Sequence, residues 1–240
     1  VGQNGWVMLD TTPFYATSGG QNGDIGALET TSTVAMVEET SKFHDINLSK
    51  VKVQESSIKT NDIIKAVVVN RHEVAKHHSA THLLQSALKM VLGDTVSQAG
   101  SLNDATRLRF DFTYPKAMTT EQIKEVEDLV NTMIGRAITG NIEELPIEEA
   151  KNKGAIAMFG EKYGDTVRVV SFGDASVEFC GGTHVKNTSD LGSFFITKES
   201  GVSAGVRRIE AVCGTSATNY ANDIISKYQE IQAEVKNNDV

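Results

Sequence analysis

Over about the first seventy residues, apolar positions come in short runs separated by polar clusters. Trp6-Val7-Met8-Leu9, Thr33-Val34-Ala35-Met36-Val37 and Ile63-Ile64-Lys65-Ala66-Val67-Val68-Val69 are apolar or β-branched. The polar segment from Ser41 to Lys50 reads as strands and turns. Several short strands at this spacing predict a small barrel or sandwich. Asp10-Thr11-Thr12-Pro13 is a turn, and Phe14-Tyr15 leads into a glycine-rich loop, Ser18-Gly19-Gly20-Gln21-Asn22-Gly23-Asp24. Glycine admits backbone conformations that other residues resist and lets a backbone approach a ligand closely.

After Asn70 the period changes. From Arg71 to Leu92 the pattern is helical, with Leu84, Leu88 and Val91 on one arc and Gly93 as a stop. Arg107 to Phe112 alternates and predicts a half-buried strand with Leu108, Phe110 and Phe112 inward. Thr119-Thr120-Glu121-Gln122 has capping-box form and opens a helix with its stripe at Ile123, Val126, Val130, Met133 and Ile134. Pro146 suits the first turn of a short helix and Gly154 its end. Val167–Phe172, Ser176–Phe179, Ser193–Thr197 and Val206–Val212 read as strands. From Thr215, Tyr220, Ile224, Ile225, Tyr228, Ile231 and Val235 recur at helical spacing. A sheet backed by at least two helices makes the second part α+β.

Composition narrows the function classes. The 240 residues carry a formal charge of −8, so bulk charge does not announce a nucleic-acid binder, and any RNA contact needs a local basic patch. Two cysteines, Cys180 and Cys213, indicate no disulfide framework and a reducing compartment. No apolar run approaches the roughly 20 residues that span a bilayer. Val1 opens inside a strand-like phrase without an initiator Met, and the last helix runs on uncapped. A piece of a longer chain is the expectation.

Two short runs carry the chemistry: His78-Ser79-Ala80-Thr81-His82 and Cys180-Gly181-Gly182-Thr183-His184. At about 100° per residue, His78 and His82 lie about 40° apart on one helix face, whereas His77 and His82 lie about 140° apart. His78 is therefore the better partner. The Gly181-Gly182 pair places Cys180 and His184 on a tight turn after the strand ending at Phe179. Three imidazoles and one thiolate suit a four-coordinate Zn²⁺, one per chain. Four protein ligands close a tetrahedron, which also fits a structural metal. Position 79 is Ser, so the glutamate base of an HExxH protease is missing. The deaminase pattern, a serine nucleophile elbow and a phosphate loop are absent too.

These motifs strongly resemble the editing region of bacterial alanyl-tRNA synthetase. The resemblance rests on both ligand runs, on Pro13-Phe14-Tyr15, on Ser18-Gly19-Gly20-Gln21 and on Gly205 to Ala211. Gly100-Ser101-Leu102, Arg107 to Phe112 and Phe159 to Asp165 are similar too, and the match runs in order over the whole chain. Free-standing editing proteins and the threonyl-tRNA synthetase editing domain share the ligand pairs. Two positions depart from the family pattern: Thr17 stands where a Glu is usual, and Cys213 where a Thr is frequent.

The resemblance implies a small antiparallel β-barrel over 1–70, a two-layer editing domain with zinc over 71–214, and the start of a helical linker over 215–240. It implies an aminoacyl-tRNA deacylase, the proofreading fragment of an alanine–tRNA ligase. The substrate would be tRNA(Ala) mischarged with serine or glycine. The setting would be cytoplasmic, with no membrane partner. ATP would serve only a missing aminoacylation domain. The fragment is expected to be a monomer, and its parent to oligomerise through a missing C-terminal part.

The metal ligands on this reading are His78, His82, Cys180 and His184. Gln21 and Cys180 are the expected catalytic residues. Ser18, Gly19, Gly20, Gln21, Thr81, Arg207 and Arg208 are expected to bind substrate, with Lys162, Arg168 and Lys198 as further RNA candidates. Two alternatives remain: a free-standing trans-editing deacylase, and a zinc-stabilised tRNA-binding module without catalysis.

Overall fold

In the computed structural model, residues 2–157 and 163–235 are described. Phe159 to Lys162, part of one family motif and including one candidate RNA contact, lies outside the described residues.

The N-terminal part is a sheet of β1 (Asn4–Val7), β2 (Gly26–Glu29), β3 (Val34–Phe43), β4 (Ile46–Glu55) and β5 (Lys65–Val68). Its order is β1-β4-β3-β2-β5, and every pairing is antiparallel. The expected closed barrel is not formed. The two edge strands, β1 and β5, are four residues each and have no pairing with one another, so no ladder closes the sheet. The long β3–β4 hairpin alternates instead, turning Ala35, Val37 and Val51 onto Phe14 and Leu28 in a small one-sided core.

Helix α1 (Arg71–Leu92) follows with the bounds that its periodicity predicts. It is buried on nearly all sides between Val74 and Leu88. One face gives Leu83, Leu84, Ala87 and Leu88 to the main core. That core is completed by β7 (Leu108–Thr113), α2 (Thr120–Gly135) and β12 (Val206–Cys213). Leu108, Phe110 and Phe112 are fully buried, as the alternation requires. The α2 capping box is formed: Thr119 Oγ1 accepts from Gln122 N at 3.2 Å, and Gln122 Oε1 accepts from Thr119 N at 3.0 Å.

A four-stranded sheet, β11 (Phe194–Ser203)-β12-β7-β6 (Gln98–Asn103), backs these helices. A three-stranded sheet, β10 (Ser176–Phe179)-β9 (Thr166–Phe172)-β8 (Gly140–Pro146), carries the short helix α3 (Ile147–Asn152). Helix α4 (Gly214–Val235) leaves the core with only Ala217 buried. The architecture is mixed α/β on antiparallel sheets. Among the described residues no helix is long and apolar enough to cross a membrane.

Candidate metal centre and cleft

The site forms where three parts of the chain meet. The middle of α1 supplies His78 and His82, the turn after β10 supplies Cys180 and His184, and the glycine-rich loop closes over them. One donor atom from each of the four residues lies within 4.8 Å of all the others. Cys180 Sγ is 3.4 Å from His78 Nε2 and 3.2 Å from His184 Nε2.

The rings are oriented by partners outside the donor set. Gln21 Oε1 accepts from Thr183 N at 2.8 Å and lies 2.7 Å from His78 Nδ1. A backbone N–H can only donate, so this amide oxygen is an acceptor and the His78 proton sits on Nδ1, leaving the Nε2 lone pair for the cluster. Ser79 Oγ accepts from Val185 N at 3.1 Å and lies 3.0 Å from His184 Nδ1, which holds that ring in place. His82 Nε2 faces Glu178 Oε2 at 3.6 Å, too long for a hydrogen bond, and His82 Nδ1 is buried without a partner.

A His₃Cys donor set with oriented imidazoles and one orphaned ring nitrogen is what a zinc-type ion needs. The residues present fit such an ion. His77 faces elsewhere: its Nδ1 meets Glu73 O at 3.1 Å, and its Nε2 takes Cys213 N–H at 3.3 Å.

Burial holds every imidazole neutral and ligand-ready. It pulls His78 down to about 4 and lowers His82 and His184 further below the usual histidine range, with the Arg168 charge adding to each. Burial pushes the Cys180 thiol up to about 11, so a thiolate there calls for a bound cation. Burial also raises Glu178 to about 8, although Ser176 donates to it. The Glu178–His82 contact is therefore one between neutral groups rather than an ion pair. Arg168 Nη1 pins the turn by donating to Cys180 O at 2.6 Å and Gly182 O at 2.9 Å.

Two glycines are required by close approach. A Cβ on Gly182 would lie 2.1 Å from His78 Cε1, and one on Gly20, where φ is +74°, would lie 2.0 Å from Ser101 Oγ. The loop is stitched to the end of β6 by Asn103 N to Gly20 O at 2.7 Å and Asn22 N to Asn103 O at 2.9 Å. Thr17 ties it from the other side, accepting Gly23 N–H at 2.9 Å and donating to Thr40 O at 3.3 Å.

The donors open on a cleft of about 360 Å³. Ser18, Gly19, Thr81, His78, His82 and Cys180 line it, as do Arg168 and Glu178. Gly20 and Gln21 are not among the lining residues, and Gln21 is fully buried. The Gln21 amide nitrogen is committed to Thr183 Oγ1 at 2.9 Å. Gln21 thus stands behind His78 rather than facing a substrate.

Arg207 and Arg208 lie on β12, outside the cleft, in bidentate pairs with Glu199 (2.6 and 2.7 Å) and Asp111 (2.6 and 2.8 Å). Lys198 is exposed on β11. The sequence reading gave no role to Ser79, Gln98, Ser101 or Glu178. Glu178 carried a signal, as an acidic residue two positions before Cys180 at a strand end, and Ser79 and Ser101 lie in family-like runs; Gln98 carried none.

The chain matches two family models: "Threonyl and Alanyl tRNA synthetase second additional domain" over residues 167–210, and "tRNA synthetases class II (A)" over residues 1–72. A mixed α/β chain of class II synthetase type, with a His₃Cys cluster beside a cleft, is the class that these observations define. Alanine–tRNA ligase of Aliarcobacter butzleri is 80% identical over 98% of this chain, and that of Sulfurimonas denitrificans 59% identical over 100%. That of Helicobacter pylori strain HPAG1 is 51% identical over 99%. Nearly the whole chain aligns with these alanine–tRNA ligases, and it spans about 28% of the length of these curated relatives.

Proposed function

We propose that this chain is the proofreading part of an alanine–tRNA ligase in the cytoplasm. It hydrolyses the ester that joins serine or glycine to the 3′ adenosine of tRNA(Ala). The supporting observation is that His78, His82 and Cys180 of the donor set form part of the wall of an open cleft rather than being sealed in a core. A purely structural ion would have no use for that opening. ATP-dependent attachment of alanine belongs to other parts of the relatives' length. On this reading 1–70 and 71–214 are two units sharing one site, and 215–240 leads away from it.

His78, His82, Cys180 and His184 would hold zinc, which when bound supplies a Lewis acid that orients and polarises groups near the ester. The remaining steps belong to side chains. Serine exceeds alanine by one oxygen, so a site that merely excludes by size cannot reject it; a placed polar partner can, because alanine leaves that partner unpaired. Thr81 is suited to this. Its hydroxyl is held by Asn103 Oδ1 at 2.6 Å and His77 O at 2.9 Å, which commits its proton and leaves an oxygen lone pair for a substrate hydroxyl. Ser18 and the Gly19 backbone border the same space. Glu178 is the one carboxyl side chain among the described lining residues, and its oxygens can accept from the ammonium group of an aminoacyl ester.

The test is hydrolysis of serine-, glycine- and alanine-charged tRNA(Ala), with zinc content measured on the same sample. Release of serine and glycine but not alanine is expected. If Cys180→Ala left serine release intact, the assignment of the cluster to the reaction would fall. If a chelator abolished RNA binding and folding while untreated protein never hydrolysed the ester, the zinc-stabilised binding module would be the better reading.

A further inference from the structure

A second groove of about 450 Å³ adjoins the cleft and shares Tyr15, Ser18 and Gly181 with it. Its far wall is the β3–β4 hairpin, which contributes Lys42 and Asn47. These two residues are cross-strand partners, as are Thr40 and Ser49, which are buried. Strand alternation puts Lys42 on the same face as Thr40, turned toward the groove, and puts Phe43 and Ile46 on the opposite face. Arg71 also lines the groove, but its guanidinium is taken by the buried Asp24 carboxylate and by Pro13 O. Lys42 makes no ion pair among the described residues. The Gly181 backbone borders both spaces, and a Cβ there would meet nothing within 4 Å.

We infer that this groove receives the single-stranded 3′ end of an RNA, with Lys42 as the cation that meets a backbone phosphate next to the terminal nucleotide. The inference rests on the reading that the cleft takes an aminoacyl ester of RNA. With the ester at the donors, the polyanionic strand must leave by an opening contiguous with the cleft. This groove is contiguous and carries an uncommitted positive charge. The chain's net charge of −8 makes such a local cation the means of attraction.

The test uses an uncharged stem-loop RNA with a single-stranded 3′ end, titrated across a salt series. One lost phosphate contact on a single strand lowers the slope of log K against log salt by about 0.7, which is about fivefold in affinity at 0.1 M salt. Lys42→Ala is expected to show that loss and Lys42→Arg to restore it. Phe43→Ala, on the opposite face of the same hairpin, is expected to bind as wild type. A blunt-ended RNA is expected to be insensitive to Lys42→Ala.

An unchanged slope for Lys42→Ala, or an equal loss with blunt-ended RNA, overturns the inference. The outcome is separable from the catalytic reading. Deacylation with a Lys42-independent slope sinks the groove alone, whereas a Lys42-dependent slope without deacylation sinks the catalytic reading alone.

Discussion

Replacing Gln21 by Ala tests whether this residue acts on the substrate or on the metal ligands. The substitution removes the Gln21 Oε1 that accepts from His78 Nδ1–H and from Thr183 N–H, both close to the buried centre. Each donor left unpaired in a buried site costs about 1–3 kcal/mol. Two of them amount to about 2–6 kcal/mol, a large share of the roughly 5–15 kcal/mol that holds a domain folded. Freed of its partner, the His78 ring loses the tautomer that presents Nε2, and loss of such an orienting contact lowers metal affinity by about 10–100-fold.

The assay is zinc affinity by competition with a chromophoric chelator, run beside urea unfolding with and without metal. Gln21→Glu separates the two roles. It keeps an acceptor for both donors and loses only the N–H donated to Thr183 Oγ1, so it should retain most of the affinity that Ala loses. Unchanged zinc affinity in Gln21→Ala, with ester hydrolysis lost, would refute the positioning role and return Gln21 to the substrate.

Gly182→Ala should lower zinc affinity about tenfold or more with the circular dichroism spectrum unchanged, because its Cβ would lie 2.1 Å from His78 Cε1. Gly181→Ala, with open space at that position, is the matched control. The metal-free protein should lose stability in mild acid, because burial lowers His77, His78, His82 and His184 in the folded chain while the unfolded chain binds their protons near pH 6.5. That stability is fully present above about pH 6.5 and falls as pH drops toward each folded value. His78 alone accounts for about 3 kcal/mol between pH 6.5 and 4, readable by urea titration at each pH. Thr119→Ala should cost about 1 kcal/mol in the same unfolding assay, since it removes the Oγ1 that accepts Gln122 N–H and leaves only the backbone arm of the α2 capping box.

The donors were legible because a helix fixes the angle between His78 and His82, and Gly181-Gly182 excludes a helix between Cys180 and His184. Spacing within one element is a local property, and so is the Thr119 cap. The partners of those donors were not legible. Gln21 lies 57 residues from His78, and Ser79 lies 105 from His184. Nothing local marks Ser79 as an acceptor; its position inside the ligand run spoke only to the missing protease glutamate. The open sheet was read as closed because period-2 patterning reports which face is buried, while closure depends on whether β1 and β5 pair. Strand β8, with Gly140, Asn141 and Pro146, has little strand propensity and takes its conformation from its register with β9. Arg207 and Arg208 were expected to bind substrate; the structure pairs them with Glu199 and Asp111 on the neighbouring strands.

The placement of Arg168 shows how the centre balances its charges. A guanidinium beside a cation site repels the cation, so its presence there needs a reason. Its Nη1 holds two carbonyls of the turn that carries both Cys180 and His184, and its own carbonyl accepts Cys180 N–H at 3.0 Å. The turn has two glycines and no regular structure, and those three bonds fix its Cys180 end while Gln21 and Ser79 hold Thr183 and Val185. The same positive charge lowers His78, His82 and His184, keeping them unprotonated, and it favours the Cys180 thiolate that burial opposes. Arg168 therefore opposes the ion directly and prepares all four ligands for it.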